Sequence, residues 1–170
     1  VKEEYRSYVK KSVFSTSAKS AFYIIRIQNR KHRATGLICT TGVDDYLAGR
    51  VLRHEDIIHQ KERIQIELLE ERQAVVKPIL LVHEDKPTIR EWLHTYADEN
   101  APLLEVNFDD GESQLLWEIS VPSDIAAIQS LYQEQVPYVA IADGHHRFSS
   151  FAALAQEEQS HPNKHFPAVL

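Results

Sequence analysis

Several residue types and motifs are scarce or missing in this chain, and each absence excludes a class of protein. Cys39 is the only cysteine, so no disulfide can form within the chain. No apolar run reaches the length that crosses a membrane, and no signal-peptide pattern opens the sequence. Neither the GxxxxGK[ST] loop nor the GxGxxG fingerprint occurs, which excludes two common nucleotide-binding motifs. We therefore expect a protein of the reducing cytoplasm without a membrane anchor.

The composition is typical of a globular domain with a hydrophobic core. Apolar residues make up 43% of the 170 residues and charged residues 26%, both close to average usage. The net charge of −6 argues against broad electrostatic attraction to nucleic acid or to an anionic membrane. We therefore do not expect nucleic acid or a membrane as a partner.

The ends of the sequence suggest a segment of a larger protein. Residues 166–170 form an apolar run that predicts a strand, and a buried strand needs partners on both sides. Methionine is absent, which fits an excised segment. We expect residues 1–170 to form a single domain that is part of a longer polypeptide.

Strand and helix patterns alternate along the chain. Strands are predicted at residues 21–28, 35–41, 78–83, 103–108, 114–119 and 138–141. Helices are predicted at residues 43–48, 57–72, 88–97, 122–133 and 148–156. The first two strands should form an antiparallel hairpin, the fourth and fifth a second hairpin, and the strand at 138–141 should be interior. This order predicts an α/β to α+β fold with a mixed β-sheet flanked by helices.

One segment concentrates functional side chains where a strand meets a helix: Asp143, Gly144, His145, His146 and Arg147. The unpaired N–H groups and the dipole at a helix start favour an anion, above all a phosphate. Glycine allows close approach of the backbone, arginine matches phosphate oxygens, and histidine moves protons near neutral pH. The alternative is a solvated turn with a helix cap, because Asp-Gly is ordinary turn chemistry.

A second polar cluster begins after the second predicted strand and continues into the long predicted helix, and its members are Asp44, Asp45, Arg53, His54, Glu55, Lys61, Glu62 and Arg63. Helix capping is the alternative for Asp44 and Asp45 and for the Arg53-His54-Glu55 trio. A solvated helix face is the alternative for residues 61–63. We predict that the trio lies close to residues 143–147 and lines one pocket with them.

No metal site is expected from the histidines or the cysteine. His145 and His146 are adjacent and lack the i,i+4 spacing of a helical zinc pair. Cys39 lies in a strand pattern and is predicted to be a small core residue rather than a nucleophile.

The two clusters resemble a known family. Residues 138–148 are similar to the YIADGHHRY signature of the bacterial and archaeal family called domain of unknown function 1015. Residues 43–55 resemble its VDDY…G…I.RHE segment, and Lys61, Glu62 and Arg63 resemble its KE..R segment with the arginine one place early. The resemblance covers residues 21–156. Family members also have a PYDV-like opening that this chain lacks, and they continue beyond Leu170.

The family in turn resembles the ParB/sulfiredoxin superfamily, which includes free-serine kinases. There a Gly-x-His/Arg-Arg turn at a helix start holds nucleotide phosphates, and Gly144, His145, His146 and Arg147 match that turn. The resemblance implies a phosphotransferase that uses ATP or ADP with Mg²⁺ and acts on a small hydroxyl compound. The acidic catalytic residue of the serine kinases has no counterpart that we can place.

The phosphotransferase interpretation gives expected roles to residues of both clusters. Arg147, Arg53 and the N–H groups after Gly144 hold phosphates, with His54 beside Arg53 in the phosphate site. Asp143 or Glu55 holds Mg²⁺, and His145 or His146 acts as acid, base or phosphate donor. Two alternatives stay open. One is a nucleotide-sensing or nucleic-acid-associated regulator like the ParB proteins, which the missing helix-turn-helix signature disfavours. The other is a non-catalytic scaffold.

Overall fold

The structure, a computed structural model, describes residues 2–14, 17, 19–53, 59–72, 75, 77–157 and 164–170. Its helices are α1 Lys2–Lys10, α2 Val43–Leu47, α3 His59–Arg72, α4 Pro87–Glu99, α5 Pro122–Gln135 and α6 His145–Glu157. Its strands are β1 Phe22–Gln28, β2 Arg33–Gly42, β3 Val51–Leu52, β4 Ile79–Val82, β5 Leu104–Asn107, β6 Ser113–Ile119, β7 Val139–Asp143 and β8 His165–Val169.

The strands form one mixed eight-stranded sheet with the order β3-β7-β4-β8-β2-β1-β6-β5. Two pairs are parallel, β3 with β7 and β4 with β8, and the remaining neighbours are antiparallel. Together with the helices this is an α/β-type fold with an open mixed sheet. The C-terminal strand β8 lies between β2 and β4, so strands that are distant in sequence become neighbours in the sheet.

The side chains of one sheet face are buried together. Leu37 of β2 lies opposite Ile24 of β1, Ile24 lies opposite Trp117 of β6, and all three are buried. Residues paired across strands point to the same face, so these three belong to one surface. In β4 the alternation is complete, because Ile79 and Leu81 are buried whereas Leu80 and Val82 are 43% and 47% exposed.

The buried residues form two clusters. The first core cluster joins α2 and α6 to β3, β4, β7 and β8: Val43, Tyr46, Val51, Ile79, Leu81, Ile141, Phe148, Phe151, Ala152, Ala155, Phe166 and Ala168. The second joins α4 and α5 to β1, β2 and β6: Ile24, Leu37, Ile89, Leu93, Ala97, Trp117, Ile119 and Ile128. Leu170 is partly buried against both clusters.

Most predicted elements are confirmed. β1 and β2 form the first antiparallel hairpin, β5 and β6 form the second, and β7 is interior between β3 and β4. The predicted start of the last helix is wrong, because α6 begins at His145 instead of residue 148. The sequence analysis missed the two-residue strand β3. Residues 57 and 58 of the predicted long helix lie outside the described residues.

Within the described ranges, no helix combines the length and the apolar character that crossing a membrane requires.

Candidate functional site

The carboxyl ends of β3 and β7 and the amino end of β4 lie at the same edge of the sheet. β3 runs parallel to β7 with Leu52 opposite Ala140, so the carboxyl ends of both strands point the same way. β4 runs antiparallel to β7 and pairs Leu80 with Asp143, so the start of β4 lies at the end of β7. This register places Asp143 near the residues just before β4 and at the same sheet edge as the residue after β3.

Gly144 is the residue that lets the chain pass from β7 into α6. Its φ is +101°, a conformation that residues with a Cβ rarely adopt. A Cβ at this position would lie 2.6 Å from Nη2 of Arg147 and 2.7 Å from Cγ2 of Ile79. The glycine is therefore required by the backbone and also by the side chains that lie against it.

The start of α6 presents backbone donors at this edge. The N–H of Phe148 donates to the carbonyl of Gly144 at 3.0 Å, which makes Gly144 the N-cap. The N–H groups of residues 145–147 precede that first helical bond, and such groups have no partner inside a helix. The structure therefore gives residues 143–147 the geometry of a helix N-terminus that favours anions.

Arg147 folds back onto the end of β7. Its Nη2 donates to Oδ2 of Asp143 at 2.7 Å, and the arginine side chain is only 19% exposed. Its buried Nε has no hydrogen-bond partner among the residues that the structure describes. The guanidinium therefore covers Gly144 and keeps donor capacity in addition to its bond with Asp143.

The carboxyl of Asp143 is held in its charged form. The hydrogen bond from Arg147 lowers its pKa from 3.8, partial burial opposes this, and the charges of Arg147 and Lys77 and the Gly144 backbone lower it further. Lys77 lies two residues before β4, at the strand end that pairs with Asp143. The sequence analysis missed Lys77, since no local pattern distinguishes it from other surface lysines.

The two histidines occupy different environments because they are adjacent in the first turn of a helix. His145 is buried, with 8% of its surface exposed. His146 is half-buried, and its Nδ1 lacks a hydrogen-bond partner within the described part of the chain. The carbonyl of His146 accepts a bond from the hydroxyl of Ser150 at 2.6 Å. Ser150 thereby supports the first turn, and the sequence analysis did not single it out.

Arg53 is connected to the start of α6 through two aromatic rings. Its guanidinium carbon lies 5.1 Å from the ring centre of Tyr46, and the Tyr46 ring lies 4.8 Å from that of Phe148. Phe148 directly follows Arg147, so two ring contacts separate Arg53 from the first turn of α6. His54 and Glu55, the other predicted members, lie outside the described residues, so the pocket that they complete stays a prediction.

Two further members of the second polar cluster, Asp45 and Arg63, have structural partners, whereas the side chains of Lys61 and Glu62 lie outside the described part of the structure. The capping interpretation of Asp44 and Asp45 is wrong for their side chains, because Gly42 is the N-cap of α2 and no side chain caps it. Asp45 instead accepts a bond from Nε of Arg50 at 2.7 Å. Arg63 forms an exposed i,i+4 ion pair with Glu67, as expected of a solvated helix face.

Metal binding and thiol chemistry need particular arrangements of histidine, cysteine and acidic side chains. Among the residues that the structure describes, no three His, Cys, Asp or Glu side chains converge as a metal site. Burial raises the pKa of Cys39 to about 12, so its thiol is protonated and a poor nucleophile at neutral pH. This fits the predicted role of Cys39 as a core residue.

Comparison with curated proteins and with solved structures finds no match. The family model described as "Protein of unknown function (DUF1015)" matches residues 1–170. The match spans both polar clusters and the whole sheet. The chain therefore belongs to the DUF1015 family.

Proposed function

We propose that this cytoplasmic protein binds the phosphates of ATP or ADP at the start of α6 and transfers a phosphoryl group to a small hydroxyl compound. The observation that carries the proposal is the arrangement around Gly144, where a helix N-terminus, a positive φ and the Arg147 guanidinium coincide. A ParB/sulfiredoxin-like fold is part of the same proposal, because that superfamily places a similar turn against nucleotide phosphates.

Phosphate binding would use the donors at the sheet edge. The N–H groups of residues 145–147 point along the axis of α6 towards its start, where the helix dipole favours negative charge. Arg147 supplies a planar fork whose Nε has spare donor capacity. Lys77, just before β4, and Arg53, just after β3, add positive charge at this edge. Charge stabilisation of this kind is the main contribution of protein to phosphoryl transfer.

The Asp143 carboxylate fits a role in holding Mg²⁺ beside the nucleotide. Magnesium is usually bound by one or two carboxylates together with substrate phosphates, so a single acidic residue is sufficient. Asp143 is 64% exposed and stays ionised, because Arg147 and Lys77 lower its pKa. Mg²⁺ would supply charge neutralisation on the phosphates, and Glu55, which lies outside the described residues, is the alternative carboxylate that the sequence predicts for it.

The transfer step needs a base for the hydroxyl substrate. The hydroxyl oxygen forms a bond to the terminal phosphorus, the bond from that phosphorus to the bridging oxygen breaks, and the hydroxyl proton moves to an imidazole. His146 suits the proton transfer, since its Nδ1 is not engaged by any described residue. His145 is more deeply buried and suits support of the first turn. His145→Ala and His146→Ala should therefore affect turnover and binding differently.

Calorimetric titration tests the binding site. ATP and ADP are titrated, with and without Mg²⁺, into the wild type and Arg147→Ala. Loss of a charge-assisted hydrogen bond should weaken binding by about 1.5–3 kcal/mol. Arg90→Ala is the matched control, because Arg90 is also paired with an aspartate, Asp85, but at α4. Equal affinity of the wild type and Arg147→Ala would reject the phosphate site.

A second measurement separates the enzyme from the regulator. The protein is incubated with nucleotide, Mg²⁺ and a panel of small hydroxyl compounds, and phosphorylated product is measured by mass spectrometry. Product that disappears in His146→Ala supports the phosphotransferase. Tight nucleotide binding without any product would favour a non-catalytic nucleotide-sensing regulator.

A further inference from the structure

A cavity of about 370 Å³ lies between the two core clusters. Its walls come from both sides: Cys39 and Val139 are packed against the first cluster, Tyr132 and Val136 against the second, and Leu170 against both. The cavity opens to solvent, because its lining residues include the exposed Arg50 and Tyr138. A ligand can therefore enter it from outside at the place where the two cores meet.

Small side chains on β2 create the space. Leu37, Cys39 and Thr41 alternate along β2 and point to the same face. Leu37 is buried in the second cluster, whereas the smaller Cys39 and Thr41 line the cavity. The neighbour of Cys39 across the strand pair is also small, Ala168. The volume lies in the range of about 300–1,000 Å³ that is typical of small-molecule sites.

The interior of the cavity is neutral and has an unused polar group. The hydroxyl of Tyr132 is buried and has no hydrogen-bond partner among the described residues. A buried hydroxyl without a partner carries a desolvation penalty, which a ligand with an acceptor atom would remove. Burial raises the pKa of the Cys39 thiol to about 12 and also raises the pKa of Tyr132, so both side chains are uncharged at pH 7.

The charged groups that line the cavity neutralise each other. Asp45 and Arg50 are both lining residues, and they form an ion pair with a distance of 2.5 Å between Nη2 and Oδ1. The pair has no net charge to attract an ionic ligand. The remaining walls are uncharged and include aliphatic side chains such as Val51, Leu81 and Val136.

We propose that this cavity binds an uncharged small molecule with an apolar body and one oxygen acceptor, which accepts a hydrogen bond from Tyr132. The site is separate from the phosphate site. Val139 begins β7 and lines the cavity, whereas Asp143 ends the same strand, about 13 Å away at the usual rise per residue. Binding of a small molecule in the cavity and binding of a nucleotide at the phosphate site can therefore be measured independently.

A pair of nearly isosteric probes tests the hydrogen bond. Acetophenone has a carbonyl oxygen where α-methylstyrene has a methylene group. Ligand-observed NMR titration of the wild type should give an affinity about fivefold higher for acetophenone, the scale of one neutral hydrogen bond. Tyr132→Phe should abolish the difference between the probes. Tyr23→Phe is the control, because the Tyr23 hydroxyl bonds Glu118 on β6 and lines no part of the cavity.

Filling the cavity tests its location. Cys39→Phe and, independently, Val136→Phe should leave the circular-dichroism spectrum unchanged and reduce binding of both probes at least tenfold. Two variants are used because one of them could fail to fold. Unchanged affinity in a folded, filled variant would place the probes elsewhere and overturn the proposal. Absence of binding to the wild type at millimolar probe would overturn it as well.

Discussion

At the scale of single residues, Gly144 combines two constraints that a substitution can separate. Gly144→Ala would impose a strained φ and would also bring a Cβ against Arg147 and Ile79. Gly49 has a φ of +74° but no atom within 4 Å of its would-be Cβ, so Gly49→Ala imposes the strain alone. We expect Gly49→Ala to lower the free energy of unfolding by about 1 kcal/mol and Gly144→Ala by about 2–3 kcal/mol. Urea unfolding measures both, and equal losses would contradict the contact argument.

The ionisation of Asp143 is also controlled by contacts of single residues. Its pKa is lowered in the folded protein, so the ion pair with Arg147 stabilises the fold above the ordinary value of 3.8. That stabilisation is lost as the pH falls through the folded pKa. Carboxyl ¹³C NMR should therefore give Asp143 a titration midpoint below 3.8, and Arg147→Ala should raise it. A midpoint that does not move in Arg147→Ala would show that the pair is absent in solution.

At the scale of secondary-structure elements, the sequence predicts the elements and the two hairpins well, but it does not predict the order of strands that are distant in sequence. The hairpin at residues 21–41 is found because β-branched residues flank a polar turn. The start of α6 was placed too late, because the apolar period begins only at Phe148 and the three preceding polar residues hide the first turn. The sheet order follows from non-local packing, which no local pattern encodes. Lys77 joins the site through that order, and so the sequence did not reveal it.

A buried arginine connects β1 to α4. Arg26 is 5% exposed, donates to Asp98 at 3.2 Å and lies 5.0 Å from the ring centre of Trp117. Its Nε and Nη2 have no hydrogen-bond partners in the described part of the chain. Desolvation of a charge offsets its pairing energy, so an apolar side chain of similar length can replace such a residue at little cost.

Two variants test this balance. Arg26→Met should change the free energy of unfolding by less than about 1 kcal/mol, or increase it, because it removes a poorly satisfied buried charge. Asp98→Ala should decrease it by about 1–3 kcal/mol, since it removes a charge-assisted bond and leaves the guanidinium buried. Chemical denaturation measures both. A larger loss in Arg26→Met than in Asp98→Ala would contradict this balance and show that other contacts of the guanidinium, such as that with Trp117, stabilise the fold.

At the scale of the whole molecule, one continuous sheet joins the two core clusters. β2 contributes Leu37 to the second cluster and Cys39 to the edge of the first, and it pairs with β1 on one side and β8 on the other. Neither cluster can separate without breaking β2 or β8.

Equilibrium unfolding should therefore be a single transition, as expected if residues 1–170 form one domain. Trp92 and Trp117 are the only tryptophans and both lie in or against the second cluster, so their fluorescence reports on that half. Far-UV circular dichroism also reports on α6 and the first cluster. The two probes should give the same urea midpoint, because cooperative unfolding makes all probes coincide. Phe151→Trp adds a fluorescent reporter inside the first cluster, with Ser130→Trp on the exposed face of α5 as the control for adding a tryptophan. A separate midpoint for the Phe151→Trp reporter would show that the two clusters unfold as independent units.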